Sequence, residues 1–226
     1  MLHKEAVEGD TYQLLKKLMS DEKLNNFNLA GGTALALYLG HRLSIDLDLF
    51  ARSDFNANEL EEYLIDKYNF QGAFLKKNTL KGQINGIKID CITHNYDNIY
   101  KPYIYESVRL YSINDIAAMK LRVISDDGTR LKDFVDVAFL STKISFNQML
   151  DFYEKKYPNT NRMRPLKSLN YFDDIINIKE PLQLINGTYD WRLVERRLQN
   201  MVKYPDRIFV SYPMNINREF ENAFGE

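Results

Sequence analysis

The chain has 226 residues, 45% of them hydrophobic, enough to bury one large core or two smaller ones, and 30 basic against 31 acidic side chains leave a formal net charge of −1. That balance excludes a molecule drawn to nucleic acid or to an anionic membrane by an overall field, so any basic site has to be local. A single cysteine, Cys91, excludes an internal disulfide and a cysteine-rich zinc site, which fits a reducing compartment.

The N-terminus, MLHKEAVEGD, lacks the apolar stretch of a secretory signal, and the longest apolar runs are broken by charge. The expectation is a cytoplasmic protein with no membrane partner. Aromatic residues make up 13%, mostly Tyr and Phe. Core packing explains them as well as ligand stacking does, and they carry no functional weight at this level.

Residues 7–19 put Leu14, Leu15, Leu18 and Met19 at helical spacing with lysines on the other side, which predicts a covering helix. Residues 28–30 read as a strand, Gly31-Gly32-Thr33 as a glycine turn, and residues 34–39 as a helix stopped by Gly40. From 45 to 50 the residues alternate, Ile45, Leu47 and Leu49 on one side and Asp46 and Asp48 on the other, as in a strand with two acids on one face. A helix is predicted over 58–68. Strands follow over 70–74, 79–84 and 87–93, the last two flanking Asn85-Gly86, a strong hairpin signal.

Ser112 with Asp115 three residues on resembles a helix start leading into 116–124. Helices are predicted over 131–140, 147–157 and 191–202, the last with a stripe of Trp191, Val194, Leu198 and Met201. The polar, basic stretch 158–170 reads as a loop. The fold class is therefore α+β: a mixed or antiparallel sheet with flanking helices over residues 1–110, then a helical half over 111–226, with no internal repeat.

The informative string is Gly31-Gly32-Thr33 followed by Asp46-Leu47-Asp48. Glycines allow close approach of backbone to ligand, and a helix starting just after them offers unpaired N–H groups to phosphate oxygens. Two aspartates two apart on a strand project from one face with Cα atoms roughly 6 to 7 Å apart, within reach of one or two octahedral magnesium ions. Without a metal those carboxylates repel, so the pair favours a cation. Asp90, on the 87–93 strand, is a third acid if that strand neighbours the first; in a two-metal site it would bind the ion that activates the attacking hydroxyl, or take its proton.

This combination resembles the nucleotidyltransferase superfamily typified by DNA polymerase beta. More narrowly, LAGGTALALYLGHRLSIDLDLF is similar to the AbiEii toxin family, the nucleotidyltransferase arm of bacterial abortive-infection toxin–antitoxin systems, whose Arg-x-Ser-x-Asp-h-Asp pattern Arg42 and Ser44 also match. The segment 116–122, with Lys120, is similar to the family's helical lysine motif, and Lys132-Asp133-Phe134-Val135-Asp136 to its Lys-Asp-x-x-Asp motif. The resemblance spans about residues 28–140; beyond it no motif matches.

The resemblance implies a transferase that moves a nucleoside monophosphate from an NTP to an acceptor hydroxyl, with Mg2+ (or Mn2+) on Asp46, Asp48 and Asp90. Gly31, Gly32, Thr33, Arg42 and Ser44 would bind the nucleotide. Lys120 would contact the triphosphate, and Asp136 would orient it or act as base. The acceptor would be RNA, a tRNA 3′ end, or a protein side chain, and a separate antitoxin protein is the implied partner.

Plainer readings stand beside these. A lone Asp-x-Asp is usually a solvated face, and most helical lysines meet only water. Lys132 at i−4 can simply pair with Asp136. Arg42 fits either a phosphate or one of the acids. Cys91 falls on the apolar side of its strand as a core thiol, and His41 and His94 have surface or structural roles by default. The basic face of Arg192, Arg196 and Lys203 reads as the wet side of a helix, while Arg162, Arg164 and Lys167 form an acceptor-binding candidate. Two other functions remain open from sequence: a non-catalytic nucleotide-binding module, and a magnesium-dependent phosphohydrolase.

Overall fold

The computed structural model describes residues 2–176 and 182–216. The chain folds as two compact units, one of Met1–Tyr38 with Ser44–Ser112, the other of Leu39–Leu43 with Ile113–Glu226.

The first unit opens with α1 (Gly9–Met19), which buries Leu14, Leu15, Leu18 and Met19 and puts Lys16 and Lys17 in its last turn, where they complement the helix dipole. Then come β1 (Phe27–Leu29), α2 (Gly31–Leu39), β2 (Leu47–Ala51), α3 (Ala57–Tyr68), β3 (Gln71–Lys76), β4 (Thr79–Ile84), β5 (Ile87–Thr93), β6 (Tyr103–Tyr105) and β7 (Val108–Leu110). The seven strands form one sheet in the order β3-β4-β5-β2-β1-β7-β6. β2 runs parallel to β5 and β1 to β7, while the other neighbours are antiparallel.

Local chemistry explains the punctuation. Gly40 has φ +61 and ends α2 in the left-handed conformation, and Asn69 with φ 53 ends α3 likewise. Asn56 accepts from the backbone N–H groups of Asn58 and Glu59 and so starts α3. Asn85 and Gly86, both with positive φ, make the two-residue hairpin of β4 and β5.

Two expectations need correction, and one hairpin had no prediction. The strand read as 45–50 is Leu47–Ala51, because the backbone just before it is engaged elsewhere: Ser44 pairs with Val7, and the Asp46 carbonyl accepts from the Thr33 hydroxyl. The β6–β7 hairpin turns through Glu106 and Ser107, both at positive φ (46° and 69°), residues that carry no turn signature. Within the stretch read as a loop, α7 (Met163–Ser168) forms, with the Asn161 side chain accepting from the Met163 N–H.

The second unit contains α4 (Ile113–Asp126), α5 (Leu131–Leu140), α6 (Phe146–Lys156), α7, β8 (Gly187–Thr188), α8 (Trp191–Lys203) and β9 (Asn215–Ile216). α4 packs on α5, α6 and α7, and α5 packs on α8. A capping box between Ser145 and Gln148 starts α6, and Asp190 caps α8. A fully buried ion pair, Lys156 Nζ to Asp115 Oδ1 at 2.8 Å, ties α6 to α4. No helix among the described residues is long and apolar enough to cross a membrane.

Candidate active site

In the first unit the parallel pairing of β2 and β5 sets Asp48 beside Asp90, and the antiparallel pairing of β5 and β4 sets Asp90 beside Lys81. Register partners point to the same face of a sheet, with neighbouring strands about 4.8 Å apart. Lys81, Asp90 and Asp48 thus form one row across three strands. Lys81 Nζ donates to Asp90 Oδ2 at 2.7 Å, with Lys88 Nζ at 3.9 Å. Asp90 Oδ1 is buried and has no hydrogen-bond partner. An orphaned, buried carboxylate oxygen costs free energy unless something fills the position, which marks it as a place for a ligand.

Gly31 closes the row on the other flank. Its φ is +66, and a Cβ built there would lie 1.9 Å from Asp48 Oδ2. The turn and the carboxylate therefore touch with only a glycine between them. Asp46, one residue before β2, is exposed. Its backbone is braced by Thr33, which gives its hydroxyl hydrogen to the Asp46 carbonyl and accepts from Ser44 Oγ at 2.8 Å. Thr33 and Ser44 are both buried. Thr33 thus serves the backbone and Ser44 serves Thr33, while the half-buried Gly31 and Gly32 stand at the start of α2, where N–H groups have no partner within the helix.

Among the described residues, no three His, Cys, Asp or Glu side chains stand gathered as a metal cage. Magnesium is commonly held by only one or two carboxylates together with substrate phosphates. Asp48 and Asp90, paired across β2 and β5, offer oxygen donors of the kind such a hard cation takes, and Lys81 supplies positive charge at Asp90 Oδ2, while Asp46 is exposed one residue before that row.

Gly31→Ala tests the contact. The left-handed backbone alone costs about 1–2 kcal/mol. The nearest obstacle is the carboxylate of the Asp48 side chain, not backbone, so the expected outcome is a folded protein with a modest loss in thermal stability and a much larger loss of turnover. Differential scanning calorimetry beside initial rates checks it; unchanged turnover would contradict the close approach being needed.

The second unit gathers a different cluster. Asp136, fully buried on α5, accepts from His41 Nε2 at 2.8 Å and Arg42 Nε at 2.8 Å on Oδ1, and from Arg42 Nη2 at 3.1 Å and Lys120 Nζ at 2.7 Å on Oδ2. Lys120 Nζ also meets Asp133 Oδ1 at 2.5 Å, and the other Asp133 oxygen faces Arg130 Nε at 3.6 Å. Burial alone would raise the Asp136 carboxyl, but Arg42, Lys120 and His41 outweigh it and hold it well below the usual range. Burial likewise opposes the charge on Lys120, and the carboxylates of Asp133 and Asp136 override it, so its pKa is raised. Lys120, expected on a triphosphate, has its ammonium engaged by two carboxylates, and Arg42 grips an acid bidentately.

His41 is fully buried, and burial lowers its pKa despite the Asp136 hydrogen bond that raises it. It is neutral, with Nε2–H given to Asp136 and Nδ1 facing no hydrogen-bond partner. A depressed histidine takes up its proton in the unfolded chain first, so stability is full above the unfolded pKa of about 6.5 and falls as pH drops below it. Urea midpoints should decline from pH 7.5 to pH 5.5, and His41→Gln should flatten that decline; an identical slope in the variant would remove His41 from the account.

Cys91 is a packed core thiol, pushed up to about 12 by burial. The basic cluster proposed for an acceptor is largely neutralised: Arg162 pairs with Asp151 and Glu154, and Arg164 with Asp126. Sequence reasoning missed Lys81, and it placed Asp133 in the Lys-Asp-x-x-Asp motif without assigning it a role. Lys81 becomes visible only once the β4–β5 hairpin is paired in register, since Asn85-Gly86 places residue 81 opposite residue 90.

The model of the family described as "Nucleotidyl transferase AbiEii toxin, Type IV TA system" matches residues 13–204. An uncharacterized protein of Aquifex aeolicus (strain VF5) is 31% identical over 168 residues, covering 72% of this chain and 81% of that one. The nucleotidyltransferase toxin MenT4 of Mycobacterium tuberculosis H37Rv superposes with a TM-score of 0.55 at 12% identity, over 95% of this chain and 88% of that one, and shares the fold. With its residues 13–204 matched, this chain belongs to the AbiEii nucleotidyl transferase toxin family.

Proposed function

We propose that this chain transfers a nucleoside monophosphate from an NTP to an acceptor hydroxyl and releases pyrophosphate. The observation that supports the reading is the row Lys81–Asp90–Asp48, whose Asp48 end abuts the Gly31 turn, a helix start suited to phosphate, and whose Asp90 has an orphaned carboxylate oxygen. Gly31 and Gly32 receive the polyphosphate on backbone N–H groups. Asp46 and Asp48 hold a divalent cation, Mg2+ or Mn2+, which when bound offsets the charge of the triphosphate and of the departing pyrophosphate. Asp90, fixed through Oδ2 by Lys81, offers Oδ1 to the proton of the attacking hydroxyl. The acceptor oxygen bonds to the α-phosphorus as the bond from that phosphorus to the pyrophosphate breaks.

Arg42, Lys120 and Asp136 act as positioning residues, holding the segment Leu39–Leu43 that lies in the chain between α2 and the Asp46–Asp48 pair. The acceptor is a tRNA 3′ end or a protein side chain, in the cytoplasm where NTP is available, and a separate antitoxin restrains the activity. Incubation with α-labelled NTPs, magnesium and total RNA tests the reading. Label on a macromolecule is the expected result; released nucleotide without transfer indicates a phosphohydrolase, and saturable binding without turnover indicates a nucleotide-binding module.

A further inference from the structure

Strand alternation carries the face that bears Asp48 and Asp90 one step further, to aromatic side chains. On β2, Leu47, Leu49 and Ala51 are buried on one side while Asp48 and Phe50 point to the other. On β5, Ile89 and Cys91 are buried, and Asp90 and Ile92 share the opposite face. His94 continues that parity, its N–H donating to the Ala51 carbonyl at 2.7 Å. Its ring lies 5.7 Å from Phe50, tilted by 33°, and 4.9 Å from Tyr96.

Phe50 and His94 are half-buried and Tyr96 is 39% exposed, so the tier is not sealed into the core. Phe50 follows Asp48 by two residues, roughly 6.6 Å along the strand. A nucleotide whose phosphate engages the carboxylates therefore has these rings within reach of its base. Aromatic faces accept any base, since every base has a π-face.

We propose that His94 and Tyr96, backed by Phe50, form a stacking platform for a nucleobase of the transfer reaction, either that of the incoming NTP or that of the terminal nucleotide of an RNA acceptor. This rests on the transferase reading above and names the chemistry of its substrates. The ring of His94 packs among Phe50, Tyr96 and, edge-on at 6.4 Å, the buried Tyr111, and Tyr96 supplies the exposed surface. An acceptor read in this way needs no basic patch, which accords with the neutralised Arg162 and Arg164.

The test is equilibrium binding to the full chain in magnesium buffer, with three probes: an NTP, tripolyphosphate, which has no base, and a short single-stranded RNA. Stacking of a base on an aromatic side chain is worth a factor of about 5 to 150 in affinity. His94→Ala and Tyr96→Ala should each weaken NTP or RNA binding by a factor in that range and leave tripolyphosphate binding unchanged, and Tyr96→Phe should restore it. Loss confined to the NTP assigns the platform to the incoming base, and loss confined to RNA assigns it to the acceptor. Unchanged affinity for both in the alanine variants would overturn the platform while tripolyphosphate binding still upheld the phosphate site. A wild-type chain that binds none of the three probes would overturn the platform and the transferase reading together.

Discussion

Asp48→Asn should reduce transfer by roughly 10²- to 10⁴-fold, the range typical of losing a group that acts on the reacting charge, while the fold melts at the same temperature or slightly higher. The two halves of that expectation have one cause. Asp48 and Asp90 lie side by side on parallel strands about 4.8 Å apart, and their like charges repel in the absence of a cation. Asparagine keeps the shape and the contact with Gly31, removes the repulsion, and removes the charge that holds the ion. The gain in stability is small because Lys81 already offsets one of the two charges. Initial rates of label transfer and a urea titration on the same preparation check both halves. Wild-type turnover in the variant would remove Asp48 from the chemistry.

Asp136→Ala should show the reverse pattern, a loss of about 3–5 kcal/mol of stability, the cost of breaking a buried ion pair by deleting one member. Asp136, shut off from bulk solvent, satisfies a guanidinium, an ammonium and an imidazole N–H. Its removal leaves Arg42 buried with its carboxylate gone, whereas Lys120 keeps Asp133. The deficit should therefore be tied chiefly to Arg42. In Asp136→Ala/Arg42→Met the combined loss should fall short of the sum of the single losses by about 0.5–3 kcal/mol, the coupling expected of residues in contact. Denaturant midpoints of the four proteins measure it. Strict additivity would mean that the pair is not the unit that holds Leu39–Leu43 in place.

The elements with loud local signals were legible in the sequence. The Asn85-Gly86 hairpin, the Gly40 stop, α5 and the boundaries of β4 and β5 follow from turn chemistry and periodicity alone. So did the candidate site's central geometry, since parity put Asp48 and Asp90 on single faces and only the adjacency of their strands remained to be seen. What escaped reading depends on pairings between distant residues. Lys81 is one lysine among many until residue 81 meets residue 90. Asp46 reads as a strand residue until Thr33, thirteen positions earlier, is found on its carbonyl. The choice between a surface and a structural role for His41 stayed open because its partner Asp136 lies 95 residues away. The β6–β7 turn was silent because Glu106 and Ser107 adopt positive φ without glycine or asparagine.

A crystal structure of the full chain with a non-hydrolysable NTP and Mn2+ reaches the central claim most directly. The expected density has an anomalous manganese peak contacting Asp48, with the polyphosphate on the N–H groups of Gly31 and Gly32. A nucleotide seated away from the Gly31 turn, or manganese bound without any contact from Asp46, Asp48 or Asp90, would contradict it.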